Sequence, residues 1–277
     1  MKPARVLILL AAALVLSSCS ATQFAYDNAD VFLRWQATRY LDVHDEQAEA
    51  LEARIAAFLA WHRSSELQRY ARLAGEAGRR LERGLSREDL VWGYDSFRAQ
   101  ARAALRAGAG EVADLLDRLT PDQIEHLEQR LAEDNRKFAK EQLSGTEEER
   151  RSRRFKRNLD RLEEWFGSLS DAQVGRVRRY SDRAPLAADL RDRERRRRQA
   201  EFVAILRARE ARARLADWAA HWDRNREPAY AAATRAHLAE YFGMLLDLDK
   251  MMMAAQRQAA FERLRGFAAD FERLARR

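Results

Sequence analysis

The chain has 277 residues, with 51 basic and 44 acidic side chains and a formal net charge of +7. Alanine, leucine, arginine and glutamate dominate, proline and glycine are scarce, and no segment alternates apolar and polar residues over the length of a strand. This composition excludes a sheet-rich fold. It predicts an all-α protein, an elongated array or bundle of about eight to nine amphipathic helices with no β-sheet.

The first twenty residues have the pattern of a secretory signal. Lys2 and Arg5 precede an apolar run at residues 6–16, which is too short to span a bilayer, because a spanning helix needs roughly 20 residues. Cys19, the only cysteine, directly follows Leu16-Ser17-Ser18, and this order resembles the lipobox of bacterial lipoproteins. The resemblance implies that Cys19 is acylated and becomes the mature N-terminus. The alternative is a secreted protein in which Cys19 lies near an ordinary cleavage site by chance.

These features predict three parts of the chain: a signal peptide at residues 1–18, a lipidated tether at residues 19–25 and a helical domain at residues 26–277. A sub-boundary is expected near residues 184–188. Three acyl chains would anchor the protein firmly, whereas a single chain holds a protein only marginally. Ser20 follows Cys19, and in the Gram-negative lipoproteins that this resembles a serine favours the outer membrane. We therefore expect a lipid-anchored protein on its inner leaflet, facing the periplasm.

The helical domain is predicted to begin with a helix at about residues 27–40. A second helix starts near residue 45, and helical structure then extends to about residue 83. Within it, Ser64 to Glu66 either start a new helix or continue the second one. Ser86 is a predicted N-cap, since its hydroxyl can accept a bond from an orphan amide. The helix that it opens is expected to direct an apolar stripe inward and to end at Gly108 and Gly110, because interior glycine is unfavourable. That stripe consists of Leu90, Tyr94, Phe97, Ala101 and Leu105.

The sharpest local signal is Thr120-Pro121-Asp122-Gln123, which combines an N-cap threonine, a proline at the first helical position and a capping-box glutamine. Further helices are predicted at about residues 147–166, from Ser170 to Pro185, at residues 228–246, and from a cap at Asp249 onwards. Between them, residues 187–226 are expected to form one helix of about forty residues, because an apolar stripe continues along them.

No sequence pattern indicates an active site. The histidines form no HExxH motif, and no GxSxG, P-loop or dinucleotide fingerprint occurs. Asp217 and His221 lie one helical turn apart, an arrangement far more typical of a surface contact than of a metal or proton site. We therefore predict no enzyme, no cofactor and no metal.

A basic run at residues 191–198 ends in Arg195, Arg196, Arg197 and Arg198. One interpretation is the exposed face of a long helix, in which at least one arginine points inward and needs a carboxylate partner. The other is a contact with an anionic surface, meaning phospholipid or lipopolysaccharide headgroups or peptidoglycan. Nucleic acid is not an expected partner, because the signal peptide removes the protein from it.

Several segments of the helical domain carry a resemblance to a known family. They are Tyr26 to Asp30 with Leu33 and Trp35, Leu41 to Gln47, Phe58 to Arg63 with Leu67 and Tyr70, Leu119 to Glu141, and Trp165 to Gln173. These segments resemble the domain-of-unknown-function family 6279, an uncharacterised family of proteobacterial lipoproteins. The resemblance implies a helical lipoprotein with no known activity. Residues 250–253 depart from the cap expected near Asp249.

Residues 119–123 are also similar to the LTxxQ motif of the periplasmic chaperones Spy and CpxP, which are small helical dimers that cradle unfolded clients. Two functions follow from these observations. The first is a non-catalytic, lipid-anchored scaffold that binds an envelope protein partner through its helix faces. The alternative is an anchored chaperone or envelope-stress factor that holds unfolded clients in an apolar concavity.

Overall fold

A computed structural model describes residues 21–277, and in these residues the chain forms eleven α-helices and no strand. The all-α prediction is confirmed there, whereas the predicted number of eight to nine helices is wrong. The predicted signal peptide and Cys19 lie outside the described residues. The helices are α1 (Ala29–Leu41), α2 (Asp45–Trp61), α3 (Leu67–Glu82), α4 (Arg87–Leu116), α5 (Pro121–Phe138), α6 (Glu147–Phe166), α7 (Asp171–Arg183), α8 (Ala188–Arg207), α9 (Ala211–Ala220), α10 (Pro228–Lys250) and α11 (Ala254–Ala275).

Three helix starts are where the sequence predicts them. Ser86, Thr120 and Ser170 each cap a helix, and in each case the side chain three residues later bonds back to the cap amide, which completes a capping box. The uncertain segment at residues 62–66 continues α2 into α3 through a π-helical turn. Residues 21–27, predicted partly as a tether, are already helical, and Gln23 in this segment donates a 3.1 Å hydrogen bond to Asp270.

The prediction that Gly108 and Gly110 end a helix is wrong, since α4 runs through both of them. A Cβ atom added at Gly108 would lie 3.4 Å from the Phe58 ring, so the absence of a side chain lets α2 pack closely on α4. Interior glycine costs about 1 kcal/mol relative to alanine. Tertiary packing against Phe58 offsets part of this cost.

The predicted forty-residue helix is divided into α8 and α9 by a turn in which Arg209 adopts a φ of 55°. Asp117, at the end of α4, accepts hydrogen bonds from the amides of Ala211 (2.7 Å) and Arg212 (3.2 Å). A carboxylate distant in sequence therefore caps α9, and it satisfies amides that a continuous helix would have bonded internally.

Two hydrophobic cores organise the fold. The first lies between α1, α2, α4, α5, α8 and α9 and contains Leu51, Leu127 and Leu206. The second lies between α6, α7 and α10 and contains Val177 and Met244. Because α8 and α9 belong to the first core while α7 and α10 belong to the second, the chain passes between the cores more than once, including at the turn of residues 184–188.

Glutamines at the third position of four helices join helix starts in pairs. Gln173 of α7 and Gln256 of α11 exchange two amide hydrogen bonds, of 2.8 and 3.0 Å, and so form a closed ring. Gln47 of α2 and Gln123 of α5 form the same ring, with bonds of 3.3 and 2.6 Å. Both glutamine pairs stabilise the turns between helices. They explain why a capping residue followed three positions later by glutamine recurs along the chain.

The predicted cap at Asp249 is wrong. Met253 occupies the N-cap position of α11, and its amide donates to Gln256 Oε1 at 3.1 Å. Asp249 instead lies in the last turn of α10, where it accepts hydrogen bonds from the Leu85 amide (3.0 Å) and from Arg257 (2.8 Å). Its carboxylate therefore ties the turn before α4 to α11.

Candidate binding groove

An apolar groove runs between α4 on one side and α3, α6 and α11 on the other. Two adjoining cavities, of about 410 and about 680 Å³, make up this groove. Tyr70 and Phe271 line one end, and Tyr241 and Leu245 of α10 line the other. The cavities form one continuous depression because they share the lining residues Ala77, Trp92, Gly93, Phe97, Trp165 and Leu264.

The apolar stripe predicted to point inward from α4 lines this groove. Leu90, Tyr94, Phe97 and Ala101 all face it, and the side chain of Phe97 is 70% exposed. Leu105, at the end of the stripe, is 44% exposed. The prediction that Phe97 and Leu105 are buried is therefore wrong, since no other described element covers this part of α4.

The opposite wall is built by close packing of α3 on α11. A Cβ atom added at Gly78 would approach the Phe261 ring to 3.3 Å, so this glycine allows the two helices to lie close together. Gly93 on α4 is different, because a Cβ atom added there would meet no described atom within 4 Å. The space in front of Gly93 is the open part of the groove, and it is available to a ligand or to a larger side chain.

Most polar groups at the edge of the groove bond to one another and stabilise the fold. Arg80 stacks on Trp92 at 4.1 Å and forms a 2.7 Å ion pair with the buried Asp89. Burial alone would raise the pKa of Asp89, but hydrogen bonds from Ser86 and Arg80 hold it below its ordinary value. Asp89 is thus a fixed anion with bonded partners. One polar atom differs: Gln100 Oε1 is buried without a hydrogen-bond partner among the described residues.

At the Tyr70 end of the groove, His62 joins the N-terminal segment to α3. Its two ring nitrogens lie 3.0 Å from the Tyr26 hydroxyl and 3.1 Å from the Tyr70 hydroxyl. Burial lowers the pKa of His62 and raises the pKa of Tyr70 to about 12. The imidazole is therefore neutral near pH 7, and it hydrogen bonds as part of the folded core.

This lowered pKa predicts a loss of stability in acid. Below about pH 6.5 the unfolded chain takes up a proton at residue 62 that the folded chain resists, so the free energy of unfolding should fall as the pH decreases. Urea unfolding at about pH 7.5 and about pH 5.5 measures this loss for the parent and for His62→Gln. We expect a smaller loss in the variant. An equal loss in both proteins would assign the acid sensitivity to other groups.

The four arginines at the end of the basic run all make contacts within the chain. Arg195 binds Asn135 and stacks on Phe138, Arg196 pairs with Asp192, and Arg197 pairs with Glu194. Arg198 donates to the Trp218 carbonyl at 3.0 Å and stacks on its ring at 3.8 Å. The contact with an anionic surface stays a prediction, and Arg196, with a side chain 51% exposed, is placed best for it.

Arg198 should matter most to stability, because its side chain is only 16% exposed. Arg198→Gln removes the stack on Trp218 and the bond to its carbonyl, and we expect a loss of about 2 kcal/mol in the free energy of unfolding. Arg193→Gln is the control, since Arg193 pairs with Glu227 at the surface and such pairs contribute about 0–1 kcal/mol. Equal urea midpoints for the two variants would show that Arg198 is not a structural residue.

The other predicted candidate pair is a surface contact. His221 Nδ1 lies 2.9 Å from Asp217 Oδ1, and Asp217 also pairs with Arg224 and Arg106. Within residues 21–277 no group of three or more histidine, cysteine, aspartate or glutamate side chains is arranged to hold a metal ion. No helix in the same residues is long and apolar enough to cross a membrane.

The model of a family of unknown function, DUF6279, matches residues 39–221. The chain belongs to this family. The match includes α3, α4 and α6 of the groove but ends before α10 and α11, which complete its walls. No curated protein and no solved structure matches the DUF6279 chain in the same comparisons. The similarity to the LTxxQ motif of Spy and CpxP is not shown by any of them.

Sequence reasoning missed the groove although it found the α4 residues that line it. Trp92 and Trp165 lie on facing walls. Trp92 was not singled out, and Trp165 and Leu264 were named only for the family resemblance and for the last helix, not for a groove. The sequence did contain a signal, because Trp92 and Gly93 lie beside the apolar stripe of α4. Together they make α4 apolar over more of its surface than packing against one neighbouring helix requires.

Proposed function

We propose that this DUF6279 protein is a lipid-anchored, non-catalytic binding protein of the cell envelope, and that its groove receives an apolar segment of an envelope protein partner. The observation that carries the proposal is the apolar stripe of α4, which lines an open depression instead of a core. Aromatic walls with few polar groups bind apolar side chains by excluding water. Asp89, the one carboxylate among the described residues that line the two cavities, is already bonded to Arg80 and to the Ser86 amide.

The shape and chemistry of the groove favour a helix or extended peptide over a small polar ligand. Its two cavities follow α4 over several turns, so a ligand can contact Tyr94, Phe97 and Ala101 in succession. The unpaired Gln100 Oε1 offers an acceptor to a donor group of such a ligand. The Arg80–Asp89 pair at the rim adds a fixed dipole that restricts orientation.

A groove-filling variant tests this proposal. Gly93→Trp places an indole in the open space, and replacing a helix-interior glycine does not weaken α4. Gly110→Trp is the matched control, because Gly110 lies on the same helix, away from the groove, and is equally open. The probe is the apolar dye 8-anilinonaphthalene-1-sulfonate. We expect one saturable site in the parent and the control, and about tenfold weaker binding in Gly93→Trp. Equal binding in all three proteins would refute the groove as a site.

The alternative is an anchored chaperone or envelope-stress factor, and the openness of the same groove favours it. A scaffold binds one partner at a fixed ratio, whereas a holding chaperone suppresses the aggregation of many unfolded clients. Suppression of aggregation for unrelated clients, reversed by Gly93→Trp, would select the chaperone. Saturable binding of one envelope protein without such suppression would select the scaffold.

The proposed location rests on the N-terminal sequence. Acylation at Cys19 holds the protein on the inner leaflet of the outer membrane, and the folded domain faces the periplasm. Anionic headgroups or peptidoglycan are secondary partners through the basic run, with Arg196 as the main contact. No nucleic acid is proposed as a partner.

A further inference from the structure

The helical segment of residues 21–41, where the described part of the chain begins, has two apolar faces, and the other described residues pack against only one of them. Leu33, Ala37 and Tyr40 of α1 lie against the first hydrophobic core. The opposite side of the same helical segment exposes the side chains of Phe24 (70%), Val31 (53%), Phe32 (56%) and Trp35 (55%). We call these four residues the aromatic face.

Helical geometry places the aromatic face on one side. At 100° per residue, positions 24, 31, 32 and 35 fall within an arc of about 100°. The backbone is continuous across residue 28, because the Asn28 amide bonds to the Phe24 carbonyl (3.2 Å) and the Phe32 amide bonds to the Asn28 carbonyl (3.1 Å). Phe32 and Trp35 are also in ring contact, with centroids 6.1 Å apart. Four isolated exposed side chains would need no explanation, but a contiguous stripe indicates an interaction surface.

This helical segment is held firmly on the body, so the direction of the aromatic face is fixed. Gln23 bonds to Asp270 near the end of α11 at 3.1 Å, and Asp27 pairs at 2.7 Å with Arg277, which follows α11. Tyr26 bonds to His62 at the start of the π-helical turn. The segment therefore presents its aromatic side chains outward as a rigid surface.

The position of the aromatic face in the chain favours a membrane surface as its partner. Phe24 follows Cys19 by only five residues, so even a fully extended chain keeps Phe24 within about 18 Å of the proposed lipid attachment. Phenylalanine and tryptophan are the residues that a membrane interface prefers on a helix lying in its plane. Arg39 stacks on Trp35 at 5.6 Å and Arg34 lies beside the stripe; they pair with Asp134 (3.8 Å) and Asp30 (3.4 Å) and stay partly exposed. Long basic side chains in such positions extend towards phosphate groups at a membrane interface.

We propose that the aromatic face inserts into the interfacial region of the lipid leaflet that holds the acylated N-terminus, and that it sets the orientation of the domain on the membrane. This inference rests on the proposed lipid anchor. An acyl anchor alone leaves the domain free to rotate, whereas a second, rigid contact fixes which surface faces the periplasm. The second contact also adds affinity, because the anchor keeps the helix at high local concentration near the bilayer.

Spin labelling of the full acylated chain in phosphatidylethanolamine–phosphatidylglycerol vesicles tests the inference. With Cys19 acylated, a new cysteine is the only free thiol, so Val31→Cys carries the label on the aromatic face. Val91→Cys is the matched control, a 41% exposed valine on α4. We expect the label at residue 31 to lose accessibility to a water-soluble nickel chelate and to gain accessibility to oxygen, and the label at residue 91 to stay in water.

Vesicle flotation of the same samples separates the two proposals. A label at residue 31 that is as accessible to the nickel chelate as the label at residue 91, on a chain that floats, overturns membrane insertion and leaves the anchor standing. A chain that does not float refutes the anchor and the insertion together. A label shielded from both reagents, with a dimeric mass, would assign the aromatic face to a second copy and overturn the inference. Adding Phe24→Ser, Phe32→Ser and Trp35→Ser to Val31→Cys should return the label to water without loss of flotation.

Discussion

Replacing Gln173 by alanine should lower the free energy of unfolding by about 3 kcal/mol, measured by urea denaturation. The side chain is buried and accepts the Ser170 amide at 2.9 Å, donates to the Met251 carbonyl at 3.2 Å, and completes the amide ring with Gln256. Alanine leaves the amide, the carbonyl and half of the ring without partners, and an unsatisfied buried polar group costs about 1–3 kcal/mol.

Two further variants make this expectation specific. Gln129→Ala is the control, because Gln129 is exposed on α5 and makes only a long bond, of 3.4 Å, to Glu125; its effect should stay within about 0.5 kcal/mol. Gln173→Ala combined with Gln256→Ala should cost less than the sum of the two single changes, with a coupling of about 1–3 kcal/mol. Strict additivity would show that the ring is not an energetic unit.

Replacing Cys19 by alanine should abolish acylation of the protein completely. Without the thiol no acyl chain can be added, so the protein should appear in the soluble periplasmic fraction or remain as an unprocessed precursor. Labelling cells with a fatty-acid analogue measures the acylation, and fractionation measures the attachment. Acyl chains stabilise membrane binding by about 0.8 kcal/mol per buried CH₂ group, so no surface contact of the domain can replace them.

Ser20→Asp is the companion variant. It leaves Cys19 in place, so labelling should be unchanged, while the protein should be retained at the inner membrane, as the resemblance to Gram-negative lipoproteins implies. A fatty-acid signal that survives Cys19→Ala would refute the lipobox. Unchanged outer-membrane fractionation of Ser20→Asp would refute only the predicted destination.

Features that depend on a few neighbouring residues could be predicted from the sequence. The caps at Ser86, Thr120 and Ser170 could be predicted because an N-cap and a capping-box residue act within four positions of one another, and a proline also marks the helix start after Thr120. The sequence also predicts that one arginine of the basic run points inward and pairs with a carboxylate. Arg198 is such a residue, since its Nη1 lies 3.6 Å from Glu201. Local propensity and capping chemistry are sufficient for these assignments.

Features that depend on distant residues could not be predicted. The turn between α8 and α9 is capped by Asp117, about ninety residues earlier, and no glycine or proline marks the break. Met253 is not one of the polar residue types whose side chains cap helices. The start of α11 is therefore recognisable only through Gln256 and its partner Gln173. Both failures arise because tertiary contacts satisfied backbone groups that the local sequence left open.

The groove illustrates a third kind of limit. Helical periodicity correctly placed Leu90, Tyr94 and Phe97 on one face of α4, but periodicity cannot tell whether another element covers that face. The aromatic face of the N-terminal segment raised the same difficulty, since α1 has apolar residues on opposite sides. In each case the surplus apolar surface became visible only when the packing partner was known.

The most direct test of a groove-binding function is photo-crosslinking in intact cells. A photoreactive phenylalanine analogue at residue 97 lies in the groove, and the same analogue at residue 105 lies on the same helix outside it. The account predicts a discrete cross-linked product from residue 97 that Gly93→Trp removes, with none from residue 105. Equal products from both positions, or a product from residue 97 that persists in Gly93→Trp, would contradict it.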